Sequence, residues 1–503
     1  MSWRWTGLQT AAKECLKMFI AGQWVEAEDG SVREVFNPAT GEVLATVAEG
    51  GLADVRRAIA EARRAFDESD WPQTPVVERA RLLHALADKL EERAEEFAVL
   101  ETENCGKPLR ESRFDVNDAV NCFRYYAGLI NKPLGQTYEV SDPMMTMVVR
   151  EPIGVCGQIV PWNYPLLIAA WKLAPCLAAG NTTVFKPAEV TPLSAIKLFE
   201  LIEEVGFPSG VANLVLGAGP VVGHELAASG LVDKVAFTGG TATGRSIMQA
   251  AAGNLKKISL ELGGKSPNIV FADADFEAAV EFAMFAIFAN QGQVCSAGSR
   301  LLVEDSIHDR FVEALVERSR KIRVGNGLHE GTEMGPLISP AHLQKVLQYI
   351  EIGKAEGATL ALGGKRLTDG EYARGNFVEP TIFTDCTPDM RIVREEIFGP
   401  VLAVLRFRDE EEAVRLANDS DYGLAGGVFT QDGAKALRVI KRLRAGITWV
   451  NTYHPTYNEA PWGGYKQSGI GRELGTYGLD AYTEIKQINV NLQVGPLGWY
   501  RND

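Results

Sequence analysis

Two periodicities divide this chain. Through its first quarter apolar residues recur at helical spacing: Val55, Ile59, Ala62 and Phe66 across 52–67, then Leu82, Leu83, Leu86, Leu90, Phe97 and Leu100 across 78–104. The spacing predicts one helix over each stretch, the second stopped by Gly106-Lys107-Pro108, and another helix over 112–131. Ahead of them, 18–50 reads as short strands and turns, with Phe36-Asn37-Pro38-Ala39-Thr40-Gly41 as a turn. Residues 136–152 alternate through Met145, Met147 and Val149. The C-terminal stretch 487–494 alternates too, with Ile488, Val490, Leu492 and Val494 against Asn489, Asn491 and Gln493. Two such strands, far apart in sequence, pair within the chain or extend a sheet between subunits; a solvent-covered two-stranded flap is the plainer alternative.

From about 153 strands and helices alternate. Strands over 153–160, 182–186, 212–216, 233–238 and 257–262 are separated by helices from Pro165, at 192–205, at 220–229 and at 243–252. That rhythm predicts an α/β fold with a parallel sheet covered on both faces. A second α/β block begins near 266, with a strand at 267–271, a helix at 275–290 and a strand at 300–304. A length of 503 residues implies two or three domains.

Charge narrows the partners. Acidic residues outnumber basic ones, 65 to 51, for a formal net charge of −14. Nucleic acid is disfavoured, since phosphate binding needs a cationic surface. No apolar run is long enough to span a bilayer. The seven cysteines are odd in number, widely spaced and form no CxxC pair, so a structural zinc site is not expected and no metal is assigned. Free thiols fit a reducing compartment, hence a cytoplasmic location. The N-terminal MSWRWTGLQTAAKECLKMF lacks the apolar core of a secretory signal; it reads as a surface extension, with an organelle presequence as the alternative.

Candidate chemistry lies in loops at strand ends. Gly217-Ala218-Gly219-Pro220-Val221-Val222-Gly223 misses GxGxxG by one residue and is a weak signal. Phe237-Thr238-Gly239-Gly240-Thr241-Ala242-Thr243-Gly244 enters a helix, where glycines and free N–H groups suit a phosphate; a tight strand–helix turn explains it equally well. Cys295 lies among Gly, Ser and Gln between a helix and a strand, unlike Cys176 in an apolar helix, and fits an accessible thiol. A thiol nucleophile needs a base. None of the six histidines lies in a glycine-rich turn beside a strand end, whereas Glu261 ends an apolar strand, where desolvation raises a carboxyl toward the pKa of a general base. A buried ion pair with a nearby lysine is the alternative. Asn163, just before the helix start at Pro165, is placed to face an oxyanion, or else is a cap or turn residue.

Together these segments resemble the aldehyde dehydrogenase superfamily over nearly the whole chain. The motifs are PWNYP at 161–165, FKPAE at 185–189, FTGGTATG at 237–244, LELGGKSPNIVF at 260–271, NQGQVCSAGSR at 290–300, EEIFGPV at 395–401 and PWGGYKQSGIGRELG at 461–475. The resemblance implies a Rossmann-type cofactor domain over 1–133 and 153–263, a catalytic domain over 264–477, and a small β oligomerisation flap from 134–152 and 478–503, in a homodimer or homotetramer. It implies Cys295 as nucleophile, Glu261 as base and Asn163 with the Cys295 N–H as oxyanion donors; Glu473 matches a carboxylate sometimes assigned to proton relay. Lys186 and Glu189 match the pair on the adenine ribose. A carboxylate there accepts from both hydroxyls and repels a 2′-phosphate, so NAD is expected over NADP. Trp162, Gly239 and Gly244 match cofactor contacts, Glu396 the holder of the nicotinamide ribose, and Phe398 a neighbour of the ring. A non-catalytic relative should have lost Cys295, Glu261 or Asn163; all are present.

Within the family, WNYPLLIAAWKLAPCLAAG and APWGGYKQSGIGRELG look most like the betaine-aldehyde and aminoaldehyde branch. The likeness implies an aromatic box for a cationic head group from Tyr164, Trp171 and Trp462, each face worth about 1–2 kcal/mol when desolvated; plain core packing is the alternative for both tryptophans. Asp115 and Asp118, on one helix face, match acids at the tunnel entrance or form a solvated surface pair. Ala289 stands where plant members carry a Trp, and Phe288 points elsewhere on its helix. Ile447 lies near the pocket, where bulk favours a primary amine over trimethylammonium. A broad-specificity enzyme for aliphatic or aromatic aldehydes would use the same rings as an apolar funnel.

Overall fold

The computed structural model describes residues 15–132 and 135–500. The N-terminal extension lies mostly outside the described residues. Two large sheets organise the rest. In the first, parallel strands run in the order Ala212–Leu214, Thr182–Lys186, Val155–Ile159, Lys234–Thr238, Lys257–Glu261. By sequence that is third, second, first, fourth, fifth, so the order reverses between Val155–Ile159 and Lys234–Thr238. Such a reversal opens a crevice at the carboxyl ends of the two strands. The second sheet is parallel through Thr381–Thr384, Val401–Phe407, Arg300–Glu304, Pro267–Val270, Ala425–Phe429 and Ile447–Val450, with Thr359–Leu362 added antiparallel.

The alternating segments pair as one possibility required. Thr483–Asn491 runs antiparallel to Met144–Pro152 in register Ile488 to Met147, and Gln136–Tyr138 completes a three-stranded sheet. Gly469–Ile470, from the expected catalytic segment, joins the first sheet instead, against Leu260–Glu261.

The predicted helix over 78–104 is two, Val76–Glu92 and Ala94–Cys105. The polar run Glu91-Glu92-Arg93 interrupts the apolar stripe, and Arg93 leaves helical geometry at φ −109°, ψ 19°. The next helix starts earlier than expected, at Leu109, directly after Pro108. The expected helix at 220–229 is a wide turn over Gly219–Gly223 followed by His224–Ala228. The helix Pro165–Ala179 is buried along its entire length, Lys172 included. Cores fill the space about both sheets, one holding Leu166, Phe185 and Tyr126, another Phe288 and Phe311.

Candidate active site

The first sheet delivers side chains from its carboxyl ends. After Ile159 come Trp162, Asn163 and Tyr164; after Lys186, Glu189; after Thr238, Gly239; and Glu261 ends its own strand. The second sheet delivers from its amino ends: Cys295 precedes Arg300–Glu304, Glu396 and Phe398 precede Val401–Phe407, and Ile447 begins its strand. The link Glu261–Lys265 passes directly from one set of ends to the other.

Two glycines in that link seat the groups. A Cβ on Gly263 would overlap the Glu396 carboxylate, and one on Gly264 would overlap the carbonyl of Cys295. Neither residue was singled out from the sequence, although LGGK marks a close backbone approach. Glu396 accepts a 3.1 Å hydrogen bond from the Gly264 N–H. Burial raises its carboxyl above the usual range.

Burial pushes the Cys295 thiol up to about 12, and the charges of Glu396 and Glu261 add to the shift. Glu261 is 4% exposed and neither carboxylate oxygen has a hydrogen-bond partner among the described residues. Burial first, then the charge of Glu473, hold it well above the carboxylate range. The buried-ion-pair alternative therefore fails at Glu261. It holds at Glu473, which is paired with the fully buried Lys172. A lone lysine in an otherwise apolar helix was the signal for Lys172. Gly463, at φ +152°, leaves room for the base: a Cβ there would come within 2.8 Å of the Glu261 Oε1.

Asn163 is buried and donates from Nδ2 to the Gln293 carbonyl at 2.9 Å. One amide hydrogen is thus spent on orientation and the second is left for an oxyanion. Asn290 donates to the Asn163 carbonyl at 3.0 Å, tying the two loops together.

On the opposite flank Lys186 Nζ stands 3.6 Å from Glu189. Burial alone would raise Glu189, but Lys186 and backbone N–H groups outweigh it and hold the carboxyl low. One of those N–H groups belongs to Gly219, so the loop that looked weak in sequence supports the ribose candidate directly. Gly239 and Gly244 serve packing: a Cβ on either would crowd Phe237 or Leu262, respectively. Gly240 is the open position, with nothing within 4 Å of a Cβ, at the start of the helix Thr241–Ala251. Phe398, at φ +64°, meets the Trp162 ring edge-on at 5.2 Å. His342 completes the aromatic group; its Nε2 lies 2.7 Å from the Phe398 carbonyl, and burial pushes its pKa down to about 4.

The rings of Trp171 and Trp462 lie 5.5 Å apart. Trp462 and Glu473 exchange backbone hydrogen bonds of 2.7 and 2.8 Å. Tyr164 carries the Lys107 ammonium 4.1 Å over its ring. Asp115 corrects the surface-pair alternative: it is not solvated but buried in a 2.6 Å ion pair with Lys107. Asp118 is partly buried, without a cationic partner among the described residues, and pushed up to about 6 by burial and Asp115. Ile447 is partly buried against the same core as Cys295 and Tyr164. Phe288 is buried in the core about the second sheet.

The profile of the aldehyde dehydrogenase family matches residues 24–488. The chain belongs to that family. It is 55% identical to betaine aldehyde dehydrogenase of Bacillus subtilis over 488 residues, 96% of this chain and 99% of the relative. It is 48% identical to human retinal dehydrogenase 2 over 479 residues, 95% and 92% of the two chains. A crystal structure of Staphylococcus aureus betaine aldehyde dehydrogenase in complex with NAD+ shares the fold with a TM-score of 0.96 at 49% identity, covering 98% of this chain and 99% of that one. A point mutant of the same enzyme, with NAD+ and a BME-modified cysteine, aligns with a TM-score of 0.95 at 50% identity over 97% and 99% of the chains. The enzyme described here therefore oxidises aldehydes. Among its described residues no helix is long and apolar enough to cross a membrane, and no cluster of His, Cys, Asp and Glu could hold a metal ion.

Proposed function

We propose that the enzyme converts aldehydes with a cationic far end, betaine aldehyde or an ω-aminoaldehyde, to carboxylic acids, using NAD. The observation that carries the substrate class is the Trp171–Trp462 ring pair, with Tyr164 at the start of the helix that holds Trp171, together with Asp118, an acid without a cationic partner among the described residues. Aromatic faces attract a desolvated ammonium, and an unpaired carboxylate adds a longer-range pull.

The residues present fit NAD. Glu189, aligned by Lys186 and the Gly219 N–H, suits one ribose diol, and Glu396 on Gly264 suits the other. The open helix start at Gly240 suits the diphosphate between them. NAD, when bound, takes the hydride from the substrate carbon. The chain's own groups do the rest. Cys295 gives up its thiol proton to water, its Sγ adds to the carbonyl carbon as the C=O π bond opens, and the resulting oxyanion accepts hydrogen bonds from Asn163 Nδ2 and the Cys295 N–H. Glu261, buried and without a partner, removes a proton from the water that cleaves the thioester. The carboxylate of Glu473, held by the Lys172 ammonium, accepts that proton in turn.

In this reading 1–133 with 153–263 bind cofactor, 264–477 carry the nucleophile, and 134–152 with 478–503 pair between subunits of a homodimer or homotetramer in the cytoplasm. Support for the last is the exposed outer strand Thr483–Asn491, with Ile485 67% exposed.

A broad-specificity reading has its own support: both tryptophans are nearly buried against each other, and Lys107 already occupies one face of Tyr164. NAD reduction with betaine aldehyde, 4-aminobutyraldehyde, hexanal and benzaldehyde separates the two. The cationic aldehydes should show the higher kcat/KM and lose it in Trp171→Ala. Hexanal as best substrate, with Trp171→Ala neutral toward the cations, would give the site to the broad reading.

A further inference from the structure

Three consecutive residues ahead of the nucleophile, Asn290, Gln291 and Gly292, have φ of +45°, +57° and +71°. The first two are not glycine, so this left-handed run is strained and persists only where its surroundings hold it. The downstream anchors are plain. Gln291 bridges the Pro336 carbonyl at 3.2 Å and the Gly335 N–H at 3.1 Å, and the Gln293 side chain accepts from the Ile338 N–H at 2.9 Å. At the upstream end the Asn290 N–H donates to Glu111 Oε2 at 2.9 Å, across 179 residues of sequence. Glu111 stands in the first turn of the helix Leu109–Leu129, one turn before Asp115.

We propose that Glu111 is a positioning residue for the nucleophile loop: its carboxylate fixes the start of the left-handed run and so sets where Cys295 and Asn163 meet the aldehyde carbon. Asn290 is the node. Its backbone is held by Glu111, its side chain donates to the Asn163 carbonyl at 3.0 Å, and the Gln293 carbonyl that orients the Asn163 amide lies three residues on. The groups facing Glu111 are Lys107 and Arg110 before it, Asp115 on its helix, and Tyr164. Burial places Glu111 at about 7, with Lys107 opposing the shift and Asp115 adding to it. The hydrogen bond from Asn290 is therefore made by a group that titrates near neutrality, and an amide in its place would accept the same bond without titrating.

The claim rests on Cys295 being the nucleophile, and the test keeps the two apart. Glu111→Met retains the bulk and loses the acceptor; Glu111→Asp retains the carboxyl and withdraws the acceptor by one methylene; Glu111→Gln retains the acceptor. A misplacement of about 1 Å costs up to about a hundredfold in rate, so kcat for NAD reduction should fall about tenfold or more in the Met and Asp variants. The rate of Cys295 alkylation by iodoacetamide, followed by mass spectrometry, should change in parallel, while the KM for NAD stays within about twofold. Glu111→Gln should recover at least about half of the wild-type kcat. If the Met variant does not fold, the Asp variant carries the same comparison. Wild-type kcat and alkylation rate in the folded Met or Asp variant, or a Gln variant as slow as they are, would overturn the proposal. Activity retained in Cys295→Ala would instead remove the nucleophile reading and leave the loop measurement standing.

Discussion

The first sheet presents the carboxyl ends of its strands to the site and the second presents its amino ends. The contributions differ accordingly. At the carboxyl ends stand the proposed recognition groups, Lys186, Glu189 and the helix start at Gly240, together with the proposed hydrolytic base Glu261. At the amino ends stand the proposed nucleophile Cys295 and the proposed cofactor contacts Glu396 and Phe398. Satisfaction differs too. Glu189 and Glu396 have backbone donors, whereas Glu261 has no partner on either oxygen among the described residues. A structural carboxylate is hydrogen-bonded; one that must take up a proton during turnover is left exposed to the reaction.

The comparison breaks most easily at Cys295. Cys295→Ala should lower NAD reduction by at least about a thousandfold with no burst of product. Activity near wild type would mean that the second sheet does not supply the nucleophile. Glu261→Gln should separate the two sheets: acylation survives and hydrolysis fails. A rapid burst of about one equivalent of NADH per chain should precede a steady rate about a hundredfold lower. Loss of the burst as well would place Glu261 in acylation. The same variant bears on stability. A carboxyl whose folded pKa is raised disfavours the native state once pH passes the unfolded value, and increasingly so up to the folded one. Glu261→Gln should therefore raise the melting temperature at pH 9, by about 1 kcal/mol of stability, and make little difference near pH 4.

A different kind of effect, read across pH and not between variants, concerns proton occupancy at the second sheet. With its thiol at about 12, Cys295 in the cofactor-free enzyme should be alkylated about tenfold faster for each unit of pH between 6 and 10. A plateau near pH 8 would show a thiol activated before NAD arrives. The smallest effect is expected at the far flank: Glu189→Ser should raise the NADP/NAD ratio of kcat/KM about tenfold and leave the aldehyde KM alone.

Much of this layout was legible in sequence, because strand ends carry their own marks. A carboxylate closing the apolar strand at Glu261 and a thiol among small residues at Cys295 departed from their surroundings in ways that single residues show. Lys172 made the same kind of departure inside an apolar helix. Its meaning depends on Glu473, 301 residues away, and no local pattern carries that pairing. Glu111 gave no local signal: an acid in the first turn of a helix is ordinary, and only the fold brings it to Asn290. Asp115 misled for the converse reason, since helical spacing places it beside Asp118 but cannot show that Lys107 closes over one and not the other. The glycines of FTGGTATG divide in the same way. Two are forced by contacts with Phe237 and Leu262 and one is free, a distinction made by packing and not by spacing. The break at Arg93 was written in three polar residues, yet the apolar period on either side reads as continuous.

Both indoles stand one step from a single carboxylate, Trp171 through its chain neighbour Lys172 and Trp462 through its backbone exchange with Glu473. Under the proposed function, a lineage that altered its diet by replacing either ring would disturb the same carboxylate with that mutation, inheriting two traits at once.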